Sequence, residues 1–422
     1  MSKVNRIKCT AKISGMMDEY YASMNERKHL AWCMGPVPYE LIQAMGVSCF
    51  QSESSSARIS GGHDQAPFIE YGQANGVNAD ICSYAKINLG LVLMQENGKM
   101  DEIDPRYRLP RPDMIISSDA CPSMMQWAKC LGEIYQCPVF IFDLPFEYSG
   151  KVEDIKENMK YVKEESLKLV DFIAGVTGNT VDWDAFNKQM REIQEMSKYR
   201  RKIRELCKNI PSPASFIDNA VSMTPSISMR NQKAADFYKE FAEEVEQRVK
   251  DGIGSCQNEK YRLMWRGNFP WFRLGVLSRL LGKYDAVIVS GTYAFMTYGD
   301  MGSDILMPDG FDENDPLMSV AAENACGNYM LNTERKWRDE FQKYIEDFHI
   351  DGVIIQAPHT CRPWTLGTRD YARRVKEEYG IPAIVLEADH TDESYFNDAQ
   401  VETRIQALLE EIDYCREKAA ER

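Results

Sequence analysis

Residues 112–145 read PDMIISSDACPSMMQWAKCLGEIYQCPVFIFDLP. The runs at 112–118 and 137–145 are short and apolar, which is typical of buried strands. The stretch between them has the apolar spacing of a helix. A strand, a helix and a second strand in this order predict a βαβ unit with parallel strands.

The same alternation returns in the second half of the chain. Strand-like runs lie at 261–267, 284–291, 351–357 and 381–388, and helical patterns lie near 271–282, 330–348, 366–379 and 400–419. The middle of the chain consists mostly of long, charged, amphipathic stretches, which are typical of solvated helices. The sequence therefore predicts an α/β fold with two doubly wound parallel-sheet domains of the Rossmann or flavodoxin type, at 1–150 and 259–422, and a helical segment at 151–258 between them.

The composition is that of a soluble protein with more than one domain. The chain has 422 residues, of which 44% are hydrophobic and 27% are charged, and this length exceeds what one hydrophobic core usually serves. The formal net charge of -14 argues against nucleic acid or an anionic membrane as a partner. The N-terminus has no apolar signal-peptide core, and no run of about 18 apolar residues could span a membrane. We therefore expect a cytoplasmic protein.

The cysteines of a cytoplasmic protein are expected to be reduced thiols. Three of the twelve share one kind of position, since Cys121 and Cys361 come after predicted strands and before helices, and Cys82 precedes a helical pattern. Sites in open α/β sheets collect at the carboxyl ends of strands, so these thiols could converge on one cleft. Thiolates on long loops are typical of iron–sulfur ligation, and three ligands would leave one iron of a four-iron cluster open. The alternatives are three unrelated loop thiols or, less favoured, a structural zinc site, which prefers four ligands.

Six segments resemble those of the 2-hydroxyacyl-CoA dehydratase and benzoyl-CoA reductase superfamily. They are GPVPYELIQAMGV (35–47), DICSYAKINLG (80–90), CPSMMQW (121–127), NEKYRLMWRG (258–267), DGVIIQAPHTC (351–361) and LEADHTDESYFNDAQVETRIQALLE (386–410). The last segment is the most specific and is similar to the α-type dehydratase subunit. By contrast, FDENDPL (311–317) and EEVEQRV (243–249) look more like the corresponding benzoyl-CoA reductase subunit. The similarity spans nearly the whole chain and lies between the two branches.

The resemblance implies a cofactor and its ligands. Subunits of this superfamily have two α/β domains with an iron–sulfur cluster between them, and the motifs map three cluster cysteines onto Cys82, Cys121 and Cys361. The implied cofactor is one [4Fe–4S] cluster per subunit, with one iron open. Some relatives carry a double-cubane cluster held by more cysteines, and for this less favoured cofactor Cys33 and Cys326 would be the first extra candidates.

The resemblance also implies a reaction and partners. One electron on the thioester carbonyl of a 2-hydroxyacyl-CoA gives a ketyl radical, which expels the 2-hydroxyl group and makes the C3 proton removable, and return of the electron leaves the enoyl-CoA. Family members form a heterodimer with a homologous second subunit and receive the electron from a separate ATP-hydrolysing iron–sulfur activator. This chain has no G-x-x-x-x-G-K-[ST] P-loop of its own. Two alternatives stay open: an ATP-dependent reductase subunit of the benzoyl-CoA or double-cubane type, and a cluster-less subunit that shapes the complex or holds CoA.

Three further residues are candidates for proton handling. Glu53 matches the position of an acidic residue near the substrate in the dehydratase branch, although it could equally be a capping or solvated glutamate. Ser83 could bond to cluster sulfur or to substrate, or simply cap its helix. His359 could be a donor near the cluster, or a structural histidine. One position departs from the dehydratase pattern, because Gly35 stands where dehydratases of this type tend to carry a hydroxyl residue.

Three tryptophans lie near the turns GNFPW and CRPW, namely Trp265, Trp271 and Trp364. They could exclude water from radical chemistry or stack on an acyl group. The simpler interpretation is that they cap a core at the ends of strands.

Overall fold

The described part of the chain contains two parallel β-sheets of four strands each. The structure is a computed structural model, and it describes residues 5–24, 26–146, 152–256, 258–295, 311–327 and 334–421. The strands are β1 (Leu30–Met34), β2 (Ser48–Gln51), β3 (Met114–Ser118) and β4 (Val139–Phe142) in the first sheet, and β5 (Tyr261–Arg266), β6 (Ala286–Gly291), β7 (Gly352–Ala357) and β8 (Ala383–Glu387) in the second. The predicted α/β fold with two parallel sheets is therefore confirmed.

Helices connect the strands and form the middle of the chain. In the first part they are α1 (Ile13–Met24), α2 (Tyr39–Ala44), α3 (Ser52–Gly61), α4 (Ala66–Ala74), α5 (Ser83–Glu96) and α6 (Pro122–Tyr135). The middle contains α7 (Val152–Thr177), α8 (Trp183–Leu206), α9 (Phe216–Ser228) and α10 (Gln232–Lys250). The last part contains α11 (Leu274–Lys283), α12 (Thr292–Phe295), α13 (Pro316–Gly327), α14 (Glu334–Phe348), α15 (Arg362–Thr365), α16 (Thr368–Tyr379) and α17 (Asp398–Ala420). Among the described helices, none combines the length and the apolar character that crossing a membrane requires.

The two sheets have equivalent strand orders. The first runs β2-β1-β3-β4 and the second runs β6-β5-β7-β8. In each sheet the chain runs from one central strand to one edge and from the other central strand to the opposite edge. Open α/β sheets bind their ligands at the carboxyl ends of the strands, in the crevice between these two central strands. Cys121 follows the central strand β3 and Cys361 follows the central strand β7, so both lie at the edge that the fold favours for a site.

Sequence analysis did not find β1, although it is a central strand of the first sheet. Its pairing runs through Leu30↔Ser48 with β2 and through Ala31↔Met114 with β3. All five residues of β1 are buried. A strand that is buried on both faces lacks the alternation of apolar and polar residues, so the available signal was the continuous apolar run LAWCM, which is as long as the predicted strand β3.

Helices cover both faces of the first sheet. Trp32 and Ile115 pack in one core with residues of α4, α5 and α6, whereas Ala31 and Ile116 pack in another with residues of α2 and α7. Neighbouring residues of a strand thus enter opposite cores, as the alternation of side chains along a strand requires. Two covered faces make this a doubly wound sheet.

A buried ion cluster joins the helices of the middle to both flanking parts. The guanidinium of Arg230, between α9 and α10, contacts Glu40 of α2 and lies 2.6 Å from Glu323 of α13. The side chains of Arg230 and Glu40 are each 3% exposed. Burial raises the pKa of Glu40, and Arg230 opposes this rise because its positive charge stabilises the carboxylate. Removal of this cation would leave both carboxylates without their partner.

We expect Arg230→Met to lower the free energy of unfolding by about 3–5 kcal/mol, because it leaves buried carboxylates unpaired. The control is Arg191→Met, which breaks the ion pair of Arg191 with Glu313, whose side chains are 53% and 52% exposed. That variant should lose about 1 kcal/mol or less. Urea denaturation followed by circular dichroism measures both, and equal losses would contradict the structural role given to Arg230.

Candidate functional site

One cavity lies where the carboxyl ends of the two sheets meet. Its volume is about 640 Å³, which is within the range of small-molecule sites. Residues that follow β2, β5, β6 and β7 line it, namely Glu53, Asn268, Tyr293 and Cys361. Side chains of α1, α9 and α11 complete the wall. The cavity therefore lies between the two α/β halves, at the edge where such sheets bind ligands.

The three predicted cluster cysteines all line this cavity. Cys82, Cys121 and Cys361 are the N-cap residues of α5, α6 and α15. Burial raises the pKa of Cys82 well above its usual value, and the nearby Cys361 and Cys121 add to the increase. Burial likewise raises the pKa of Cys361, and Cys121 contributes. The thiols are thus close enough to influence one another, and Cys82 and Cys361 are protonated at neutral pH in the absence of metal.

A buried carboxylate holds two of the cysteine-bearing segments together. Asp389, just after β8, accepts a hydrogen bond from Ser83 Oγ at 2.5 Å. Its other oxygen accepts bonds from Thr360 N at 2.9 Å and from Thr360 Oγ1 at 2.7 Å. Ser83 follows Cys82 and Thr360 precedes Cys361, and Ser83 N also donates to Thr360 Oγ1 at 3.0 Å. One carboxylate therefore sets the spacing of two thiol loops that come from different α/β halves.

His390 lies between this network and the Cys82 thiol. Its Nε2 is 3.0 Å from Ser83 Oγ and 3.6 Å from Cys82 Sγ. Burial lowers the pKa of His390, so the imidazole is neutral at neutral pH. Burial alone would raise the pKa of Asp389, but the positive charge that His390 gains in acid and the bonds from Ser83 and Thr360 lower this pKa to about 2. Ser83 donates its own hydrogen to the ionised Asp389. We therefore infer that Nε2 of His390 carries the proton of the imidazole and donates it to Ser83 Oγ.

Glu53 reaches the same cavity from the first turn of α3. Its Oε2 accepts hydrogen bonds from Gly35 N at 2.9 Å and from Gln51 Nε2 at 3.0 Å. Burial raises the pKa of Glu53, and these two bonds only partly oppose the increase. A carboxyl group with a raised pKa can hold a proton at a pH where an exposed glutamate has lost it, and can transfer it to a ligand.

Gly35 has no room for a side chain. Its φ is +70°, a backbone conformation that favours glycine. A Cβ at this position would lie 2.5 Å from Ser118 Oγ and 2.9 Å from Met124 Sδ. The space that the dehydratase pattern gives to a hydroxyl residue is therefore occupied by neighbouring side chains in this chain.

Other predicted residues lie away from the cavity wall. In the part of the chain that the structure describes, Ser83 is fully buried within the Asp389 network. His359 lines a second cavity of about 800 Å³ and stacks on Tyr395, with 4.1 Å between ring centroids. Cys33 is buried within β1, and the side chain of Cys326 lies outside the described residues. The roles considered for these residues stay predictions.

Sequence analysis missed the residues that organise the site. Asp389 and His390 belong to a segment singled out for its resemblance, yet neither was assigned a role. The available signal was their position directly after β8, at the same edge as the residues that follow β7. Thr360 and Tyr84 likewise lie in segments singled out for their resemblance, close to Cys361 and Cys82, whereas Tyr293 lies outside these segments.

The described thiols do not surround a single point. No group of three histidine, cysteine, aspartate or glutamate side chains among the described residues is arranged to hold one metal ion. Every cysteine with a described side chain is a free thiol. The three cysteines of the cavity therefore lie along its wall on three separate loops.

Comparison with known proteins gives a consistent family. The family described as 2-hydroxyglutaryl-CoA dehydratase, D-component, matches residues 35–412. Lactoyl-CoA dehydratase subunit alpha of Anaerotignum propionicum is 24% identical over 414 residues, which cover 96% of this chain and 95% of that protein. (R)-phenyllactyl-CoA dehydratase alpha subunit of Clostridium sporogenes is 26% identical over 384 residues, which cover 90% and 89%. A benzoyl-CoA reductase subunit of Thauera aromatica is 26% identical over 362 residues, which cover 82% and 79%.

These matches confirm the resemblance inferred from the motifs. The family match extends from the residue after β1 to within α17, so it takes in every strand of the two sheets except β1, and also the helices between them. All three cavity cysteines lie inside it. The chain therefore belongs to the 2-hydroxyglutaryl-CoA dehydratase D-component family.

Proposed function

We propose that this chain is the iron–sulfur subunit of a 2-hydroxyacyl-CoA dehydratase, which removes water from a 2-hydroxyacyl-CoA to give an enoyl-CoA. The observation that carries the proposal is the arrangement of Cys82, Cys121 and Cys361 along the wall of one cavity between two parallel sheets. Membership of the family and similarity to dehydratase alpha subunits support it.

The donor set fits a [4Fe–4S] cluster better than a single metal ion. In such a cluster each thiolate binds a different iron, so the ligands need not meet at one point. The cavity cysteines offer one thiolate each from three separate loops, as such a cluster would require. Positive charge from the irons would also offset the burial and mutual repulsion that raise the pKa of Cys82 and Cys361. Three protein thiolates would leave one iron without a protein ligand.

The chain's own residues would bind the substrate, move a proton and exclude water. When bound, the cluster would supply single-electron transfer to the thioester carbonyl. We assign Glu53 the donation of a proton to the 2-hydroxyl oxygen as it leaves, because its raised pKa keeps the acid form available. Tyr84, Trp271 and Tyr293 line the cavity that the thiols share, and their rings would exclude water from radical chemistry.

The proposed enzyme needs partners that this chain does not supply. Several relatives are named as alpha subunits, which supports a heterodimer with a second, homologous subunit. The sequence has no P-loop. We therefore assign ATP hydrolysis and delivery of the electron to a separate iron–sulfur activator protein, and the substrate itself is an acyl-CoA.

A reductase of the benzoyl-CoA type is the second candidate. Its specific support is Gly35, which provides no hydroxyl group where dehydratases of this type tend to carry one; the hydroxyl nearest to this position belongs to Ser118. A reductase expels no hydroxyl group and would not need one there. Similarity to a benzoyl-CoA reductase subunit over 82% of the chain also favours this candidate.

Protein purified without oxygen should contain about four irons and four acid-labile sulfides per chain. Cys82→Ser, Cys121→Ser and Cys361→Ser should each lose most of this iron, because each removes one of three thiolates. Cys130→Ser is the matched control, since Cys130 lies in α6 but not on the cavity wall, and it should keep its iron. Elemental analysis and a sulfide assay measure the outcome. About eight irons would indicate a double-cubane cluster, and an iron-free protein whose activity survives Cys361→Ser would indicate a cluster-less subunit.

Glu53→Gln should lower kcat by about 10²–10⁴-fold, the usual contribution of a proton-transferring side chain. Its iron content should equal that of the unsubstituted protein, because the amide keeps the size of the side chain. Glu70→Gln, at an exposed position of α4, is the control and should keep full activity. Rates of enoyl-CoA formation are compared at equal iron content, and loss of iron from Glu53→Gln would point to a structural role instead.

The two candidate functions differ in their use of electrons. The activated complex is supplied in parallel with a 2-hydroxyacyl-CoA and with benzoyl-CoA, and the consumption of a low-potential donor is counted against product. A dehydratase should form enoyl-CoA with no net consumption, because the electron is returned. A reductase should consume about two electrons per molecule of product. Consumption with benzoyl-CoA and no reaction of the 2-hydroxyacyl-CoA would contradict the dehydratase assignment.

A further inference from the structure

We infer that the acyl group of the substrate is apolar and uncharged, either branched or aromatic, because the walls around the thiols are aromatic and aliphatic. The inference rests on the proposed function, since it takes an acyl-CoA as the substrate. Reaction at the carbons next to the thioester requires the acyl group to lie beside Cys82, Cys121 and Cys361. The side chains around these thiols therefore decide which acyl groups the site accepts.

Aromatic rings form one wall of the cavity. The Trp271 indole donates a hydrogen bond to Tyr84 OH at 2.6 Å. Burial and the neighbouring Glu53 raise the pKa of Tyr293, so this phenol stays uncharged. The Trp364 ring lies edge-to-face with the Tyr293 ring, with 6.4 Å between centroids. All four rings line the cavity, and rings of this kind contribute large apolar contact areas.

Aliphatic side chains form another wall. Ile217, Val221 and Ile227 of α9 and Leu274 of α11 line the cavity. Helix α9 packs against α3, which carries Glu53, and against α12, which contains Tyr293. A small acyl substituent would contact little of a cavity of about 640 Å³, so dispersion contacts favour a branched or aromatic group.

Among the described residues, the arginines of the cavity wall are already paired. The arginines that line it bind carboxylates of the chain, in the pairs Arg6–Asp218, Arg58–Asp18 and Arg106–Asp104. A carboxylate at the end of an acyl chain would have to compete with these carboxylates for an arginine, which disfavours its binding.

Two substrates that differ at the end of the acyl chain test the inference. We would titrate 2-hydroxyisocaproyl-CoA and 2-hydroxyglutaryl-CoA into the anaerobic holo complex without its activator, so that binding is measured in the absence of turnover. The dicarboxylic compound should bind at least about tenfold more weakly, and equal or tighter binding would overturn the inference. An apolar preference without enoyl-CoA formation after activation would instead contradict the proposed function and leave the acyl assignment standing.

A cation added to the aliphatic wall should reverse the preference. Val221→Arg should shift the ratio of the two dissociation constants by about tenfold or more towards 2-hydroxyglutaryl-CoA. Val221→Met, which adds length without charge, is the control and should keep the original ratio. Should Val221→Arg fail to fold, Ile217→Arg provides the same charge one turn earlier on a half-buried position of α9. A folded arginine variant with an unchanged ratio would show that the acyl group does not lie against α9.

Discussion

The geometry of the site depends on the carboxylate of Asp389. It bonds to Ser83 of the first α/β half and to Thr360 of the second, and each of these residues is adjacent to a cavity cysteine. A buried charge is destabilising unless it is fully hydrogen-bonded. Here the carboxylate also accepts the backbone N–H groups of Thr391 and Asp392, at 3.2 and 3.3 Å. The charge is thus satisfied by donors from both halves, and the position of each half constrains the other.

A buried ion pair also restrains α5, the helix that begins at Ser83. Lys86 of α5 is fully buried and its Nζ lies 2.5 Å from Asp392 Oδ2. Helix α5 is therefore attached to the loop after β8 through both Ser83 and Lys86, within its first two turns. Buried ion pairs contribute little net stability, because desolvation opposes the attraction, and they are better explained by the single arrangement that they specify. That arrangement fixes Cys82, the N-cap residue of α5, relative to the second sheet.

The sequence predicted what depends on local pattern and missed what depends on distant pairing. The strands around Cys121 and Cys361 were found because apolar runs and helical spacing are local signals. The central strand β1 was missed although its five apolar residues form the continuous run that a strand buried on both faces shows. The bond between Ser83 and Asp389 joins residues 306 positions apart, and no local pattern shows such a contact. His390 was missed for the same reason, since its proximity to Cys82 exists only after the two halves meet.

Under the proposed function, the separation of the thiol loops from the aliphatic wall would let one family serve different acyl groups. The thiols lie on loops before α5, α6 and α15. The bonds to Asp389 that fix the loops of Cys82 and Cys361 do not involve α9. The aliphatic wall comes mainly from α9, including Val221. Substitutions on α9 can therefore change the shape and polarity of the acyl site while the spacing of Cys82 and Cys361 is preserved. This separation is consistent with the names of the relatives, which refer to lactoyl, phenyllactyl and benzoyl groups, although each relative is only 24–26% identical to this chain. The thiol loops would have to keep their spacing in every member, whereas the aliphatic wall would only have to match the substrate of its own enzyme.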